Sequence, residues 1–165
     1  MPDFFSRPVV CNTGPVLGLS RAGLCRLLGE IFPAVILPEP VFRELHARQT
    51  ADAAEVARVV AVAQVHQLRA APDPLLLAEL DAGESAVIQT AREAGLSSVL
   101  IDERKARRVA QTVYGLEVKG TCALLLEAKR RGLITHVAPA LAAMLSGGYF
   151  IGPRVKAECL SRAGE

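Results

Sequence analysis

Residues 9–23, VVCNTGPVLGLSRAG, carry the pattern that decides the fold. The stretch opens with a short apolar run, passes through a polar turn at residues 12–15, and continues with leucines at helical spacing. It therefore predicts a buried strand over residues 8–11 and a helix over residues 16–32. The side chain that directly follows the strand is Asn12, which makes it a candidate for function.

The same alternation of short apolar runs and helical patterns continues along the chain. Strands are predicted at 34–37, 99–101 and 116–118, while residues 65–68 fit either a strand or the end of a helix. Helices are predicted at 40–48, 51–63, 81–94, 103–113, 121–132, 139–145 and 153–162. This order predicts an α/β protein with three layers, α/β/α, around a central parallel sheet of about five strands.

Length and composition fit one folded domain over residues 1–165, whose helical segment 136–165 packs on it or serves oligomerisation. The chain is 51% hydrophobic and 22% charged, which excludes disorder, and its net charge of +2 excludes a strongly basic coat protein. Four cysteines without metal-ligand spacing indicate free thiols in a reducing cytoplasm. Neither a signal peptide nor a membrane span is expected.

Four polar side chains are predicted to meet at one edge of the sheet. Asn12 and Asp102 each follow an apolar strand, and Glu44 and Glu84 lie near the starts of helices. Ligands bind outside the carboxyl ends of strands in an open parallel sheet. Oxygen donors of this kind suit Mg²⁺ or Mn²⁺, which activate water for phosphodiester hydrolysis.

Each of these residues also has a purely structural interpretation. Asp102 could cap a helix that begins at Glu103, and Glu84 could belong to a capping box with Asp81. Glu44 could be an ordinary surface glutamate, and Asn12 could stabilise the turn that follows it. Their joint occurrence is what favours a site.

A basic run lies beside Asp102. It comprises Arg104, Lys105, Arg107 and Arg108. The run is either a solvated helix face or a clamp for the phosphates of a nucleic acid. Base stacking is not expected to contribute to recognition, because aromatic residues make up only 4% of the chain.

An ordered series of motifs resembles the PIN-domain nucleases, and among them small prokaryotic proteins related to toxin ribonucleases. The matching stretches cover nearly the whole chain. They are VVCNTGPVLGLSRAG at 9–23, ILPEPVFREL at 36–45, LDAGESAVIQTA at 80–91, VLIDERKARRVA at 99–110 and VKGTCALLLEAKRRGLI at 118–134.

The resemblance implies a sheet of about five parallel strands and an acidic site that binds Mg²⁺ or Mn²⁺ and cleaves RNA. By position, the family's four site residues fall on Asn12, Glu44, Glu84 and Asp102. Glu103 would assist them, Thr13 matches the hydroxyl residue after the first acid, and Thr121 would line the same pocket. The family usually has Asp where this chain has Asn12, so one negative charge is missing.

The leading hypothesis is a metal-dependent endoribonuclease, the toxin of a toxin–antitoxin pair, with RNA and a cognate antitoxin as partners. The apolar segment 133–153 is expected to form a homodimer contact. Because of Asn12, the first alternative is a catalytically inactive module that binds RNA or a protein partner. A second alternative is a structural domain in which the carboxylates serve only as helix caps.

Overall fold

The computed structural model describes residues 3–165, and over this range it confirms the predicted three-layer parallel architecture. Its sheet has five strands, all parallel, in the order β3-β2-β1-β4-β5. The strands are β1 (Val9–Cys11), β2 (Val35–Pro38), β3 (Gln64–His66), β4 (Ser98–Leu100) and β5 (Glu117–Lys119).

Helices cover the sheet, and a short 3₁₀ turn, Phe4–Ser6, precedes it. Within the described range they are α1 (Thr13–Arg21), α2 (Arg26–Ile31), α3 (Glu39–His46), α4 (Ala53–Val62), α5 (Pro74–Glu79), α6 (Ala82–Glu93), α7 (Arg104–Thr112), α8 (Thr121–Arg130), α9 (Ala138–Ser146) and α10 (Pro153–Ala163). The stretch 65–68, which the sequence left undecided, contributes to the edge strand β3.

The strand order places a switch point between β1 and β4. The chain builds β1, β2 and β3 outward on one side, then returns to add β4 and β5 on the other. All residues of β1 and β4 are buried, as expected for central strands of a covered parallel sheet. A crevice forms where the strand order reverses, at the carboxyl ends of these two strands.

The single helix predicted over residues 16–32 is wrong, because the structure divides it into α1 and α2. Gly23 interrupts it with a left-handed backbone at φ 66°. The amide of Leu24 then donates to the carbonyl of Leu19 at 2.9 Å, which closes the end of α1.

The interpretation of Asp102 as a helix cap is wrong, whereas the capping box of Asp81 and Glu84 is confirmed. The cap of α7 is Glu103, whose Oε2 accepts from the amide of Ala106 at 2.7 Å. The carboxylate of Asp102 instead accepts hydrogen bonds from Thr121. Thr121 is the first residue of α8. The capping box at the start of α6 is present as predicted, between Asp81 and Glu84.

The C-terminal segment packs on the rest of the domain. Helix α9 lies against α1, and α10 lies against α8. Val137, Leu141 and Met144 are fully buried in the core, while Phe150 is 83% exposed. No helix within residues 3–165 is long and apolar enough to cross a membrane.

A buried carboxylate joins α1 to the start of α4. Asp52 accepts a 2.6 Å hydrogen bond from Ser20 on α1 and a second hydrogen bond from Thr50. It also forms an ion pair with Arg21, with 3.1 Å between Oδ2 and Nη1. Burial alone would raise the pKa of Asp52, but the hydrogen bonds from Ser20, Thr50 and Arg48 outweigh it. The pKa therefore lies well below the ordinary range of an aspartate.

We predict that Asp52→Asn lowers the free energy of unfolding at pH 7 by about 2 kcal/mol, because charge-assisted hydrogen bonds are lost. A depressed pKa stabilises the fold above the ordinary value of about 3.9 and loses that effect as the pH falls further. Urea denaturation between about pH 7 and pH 3 should therefore show a shallower acid loss in the variant.

The matched control is Asp73→Asn. Asp73 caps α5 by accepting from the amide of Leu75, a task that asparagine performs equally well. Equal losses of stability in the two variants would contradict the role assigned to Asp52.

Candidate active site

The two polar residues that follow the central strands lie at the switch point, as predicted. Cys11 of β1 is in register with Leu100 of β4, and the amide of Asn12 donates to the carbonyl of Leu100 at 3.0 Å. Asp102 follows β4 directly after Ile101. Asn12 and Asp102 therefore leave the sheet side by side, at the crevice where parallel sheets bind ligands.

Residues 12–14, at the N-terminus of α1, are bordered by the elements that carry the three acidic candidates. The Oδ1 atom of Asn12 lies 3.6 Å from the position a Cβ would take at Gly83, which precedes Glu84. Thr13 donates its hydroxyl to Glu44 on α3 at 2.9 Å. A Cβ at Gly14 would lie 3.9 Å from the Cβ of Asp102.

The Asp102 carboxylate is fixed by three donors. Its Oδ1 accepts from the amide of Thr121 at 2.7 Å, and its Oδ2 accepts from the Thr121 hydroxyl at 2.6 Å. The phenol of Tyr149 also donates to Oδ2. A carboxylate offers about four acceptor positions, so these bonds orient Asp102 and leave one position open.

Sequence reasoning did not identify Tyr149. Its ring lies against α1, where a Cβ at Gly18 would come within 3.0 Å of Cε1. Burial and the negative charge of Asp102 raise the pKa of the phenol, so Tyr149 stays protonated and donates a hydrogen bond. One feature of the sequence could have pointed to Tyr149: it follows two glycines in a chain that is poor in aromatic residues.

Gly120 leaves the space in which Asp102 and Arg107 lie close together. A Cβ at Gly120 would be 2.6 Å from Oδ1 of Asp102 and 2.9 Å from Nη1 of Arg107. The backbone of Gly120 is extended, with φ −124°, so the position requires glycine for space and not for conformation. Arg107 is held there by a 2.8 Å hydrogen bond to the carbonyl of Ile101.

Glu84 and Glu44 occupy different environments. Glu84 is 8% exposed and accepts from the amide of Asp81. Burial raises the pKa of Glu84, and the negative charges of Asp81 and Glu103 add to the effect. Glu44 is exposed on α3 and is held by Thr13.

All four cations of the predicted phosphate clamp line a shallow pocket on α7, and two of them also reach the cleft beside Asp102. Arg104 and Arg107 line a cleft together with Asp102. Lys105 points away to Glu79 on α5, with 3.0 Å between Nζ and Oε2, and Arg108 is exposed outside the cleft. Helical spacing explains the division, because residues three apart share a face.

The three carboxylates are not gathered into one compact group. No set of three or more His, Cys, Asp or Glu side chains within residues 3–165 is placed to hold a metal ion. Each acid is instead bound to a donor of its own: Thr121 for Asp102, Thr13 for Glu44 and the Asp81 amide for Glu84.

The donor chemistry nevertheless fits a hard divalent cation. Mg²⁺ keeps several waters and needs only one or two direct carboxylates. Asp102 retains an acceptor position, and the buried Asn12 side chain accepts no capping hydrogen bond from α1. The amide oxygen of Asn12 and a carboxylate oxygen of Asp102, at the same edge of the sheet, are suitable ligands for such a cation.

Comparison with known proteins identifies the family. A family model described as a PIN domain matches residues 8–165, so the chain belongs to the PIN-domain family, whose fold is of a nuclease type. The comparison with curated proteins gives no match.

We predict that Tyr149→Phe lowers the free energy of unfolding by about 1–2 kcal/mol, because a hydrogen bond to a charged acceptor is lost while the ring still fills its place. The control is Tyr114→Phe, which removes a buried hydroxyl that forms no hydrogen bond of 3.5 Å or less with a residue from 3 to 165. That variant should lose about 0.5 kcal/mol or less. Indistinguishable chemical denaturation curves for the two variants would refute the contact between Tyr149 and Asp102.

Proposed function

We propose that the protein is a metal-dependent endoribonuclease of the PIN type, which hydrolyses phosphodiester bonds of RNA. The observation that carries the proposal is Asp102, which three hydrogen bonds fix at the switch point of the sheet, beside Asn12 and Arg107. A carboxylate with a set orientation and an open acceptor position is what a catalytic cation requires of its ligand.

Asp102 and Asn12 would hold Mg²⁺ or Mn²⁺ directly, with Glu84 and Glu44 adding negative charge from the neighbouring helices. When bound, such a cation activates water and stabilises charge on phosphoryl oxygens. Thr121 and Tyr149 keep Asp102 in place, and Glu103 caps α7, the helix that presents Arg107. Arg107 uses one N–H on the Ile101 carbonyl, so its other donors can orient a phosphate.

The second candidate function is an inactive module that binds RNA without cutting it. Asn12 favours this alternative, because an amide oxygen can ligate a cation but contributes no charge. The spacing of the three carboxylates favours it as well. Restoring the negative charge at position 12 separates the two functions.

We predict that purified wild-type protein cleaves a mixed RNA pool with Mn²⁺ or Mg²⁺ and not with EDTA, and that Asp102→Asn lowers the rate about 100-fold. Gel analysis of the products measures the rate, and Asp73→Asn is the control for loss of a distant carboxylate. No cleavage by the wild type, with cleavage by Asn12→Asp, would instead establish the inactive module.

The proposal extends to a toxin role, with a cognate antitoxin as partner, a homodimer as the working form and the cytoplasm as location. The likeness of the ordered motifs to toxin ribonucleases supports the toxin role. Free cysteines agree with a reducing compartment. Phe150, exposed next to Tyr149, is the large apolar side chain of segment 133–153 that a second copy would cover.

A further inference from the structure

A cleft extends from Asp102 between α7, the end of β5, α8 and α10. Its volume is about 510 Å³, within the range typical of sites for small ligands. Four cationic side chains line it: Arg104, Arg107, Lys119 and Arg162. Two of these, Lys119 and Arg162, lie outside the basic run of α7 and come from β5 and α10.

The cations of the cleft are largely free to bind an anion. Arg104, Arg107 and Lys119 form no ion pair within 4.0 Å in the part of the chain from residue 3 onward, and the pair of Arg162 with Glu158 is long, at 4.0 Å, and exposed. Exposed pairs of this kind contribute little stability. Four cations face only two carboxylates, Asp102 and Glu158, so the cleft is positively charged.

Strand pairing places Lys119 at the same edge of the sheet as Asp102. Lys119 ends β5, is in register with Leu100 of β4, and accepts a hydrogen bond on its carbonyl from the amide of Ile101 at 2.9 Å. Its side chain is exposed. The cations of the cleft therefore extend from Lys119, beside Asp102, to Arg162 near the end of α10.

The remaining lining is apolar. Val118 of β5, Ala123 and Leu126 of α8 and Val155 of α10 form most of it, together with the thiols of Cys122 and Cys159. Cations combined with apolar surface suit a chain in which phosphates alternate with sugars and bases.

We propose that this cleft binds the backbone of single-stranded RNA on one side of the bond to be cut, with Lys119 and Arg162 as phosphate ligands. The proposal rests on the proposed function, because it describes the path by which an RNA strand would reach Asp102. RNA is the expected ligand, because the cleft ends at Asp102, the carboxylate to which the cleavage chemistry is assigned. An acidic protein segment is the competing occupant.

The test is fluorescence anisotropy of a labelled oligouridine with the full chain in EDTA, which makes binding independent of cleavage. The double variant Lys119→Gln/Arg162→Gln should bind about tenfold more weakly, and the slope of log K against log salt should fall by about 0.7 for each lost contact. The matched control is Arg154→Gln/Lys156→Gln, which removes two charges from α10 outside the cleft.

Each outcome decides the matter. Weaker binding in the cleft variant alone supports the proposal, even if the wild type never cuts RNA and the proposed function fails. Equal binding by the two double variants overturns it, whether or not the wild type cleaves. A wild type that ignores the oligouridine but binds polyglutamate through Lys119 and Arg162 also overturns it, in favour of an acidic protein partner.

Discussion

The hydrogen bonds to the Asp102 carboxylate connect distant parts of the chain. Thr121 reaches it from the start of α8, and Tyr149 reaches it from the connection between α9 and α10. A half-buried carboxylate needs such donors, because losing water without replacement hydrogen bonds is costly. The bonds satisfy the anion and also fix its orientation. The C-terminal helices therefore contribute directly to the geometry of the candidate site.

The sheet topology explains why the site forms at this position. Reversal of the strand order between β1 and β4 opens a crevice, and the first residues beyond those strands line it. Residues 12–14, at the N-terminus of α1, lie in its centre, with Asp102 on one side and the helices carrying Glu44 and Glu84 on the other. Three glycines allow Tyr149 and Asp102 to lie close to the backbone, because a side chain at any of them would press on one of these residues. They are Gly14, Gly18 and Gly120.

Much of this architecture could be predicted from local sequence. Short apolar runs and the capping box of Asp81 and Glu84 depend on neighbouring residues, so strand positions and the start of α6 were predictable. The break at Gly23 was missed because periodic leucines continue across it. Tyr149 could not be assigned, because its partner is 47 residues away. Helical spacing separates Arg104 and Arg107 from Lys105 and Arg108, but which pair borders the Asp102 cleft depends on α8 and α10, which local pattern does not place.

Under the proposed function, Asp102 and Asn12 together form a cation site at the switch point of the sheet. Crystals of the wild-type protein soaked in Mn²⁺ and measured at the manganese absorption edge test it most directly. We expect one anomalous peak bonded to an oxygen of Asp102 and to Oδ1 of Asn12. A well-ordered site with no peak under saturating Mn²⁺, or a peak bound only at other residues, would contradict it.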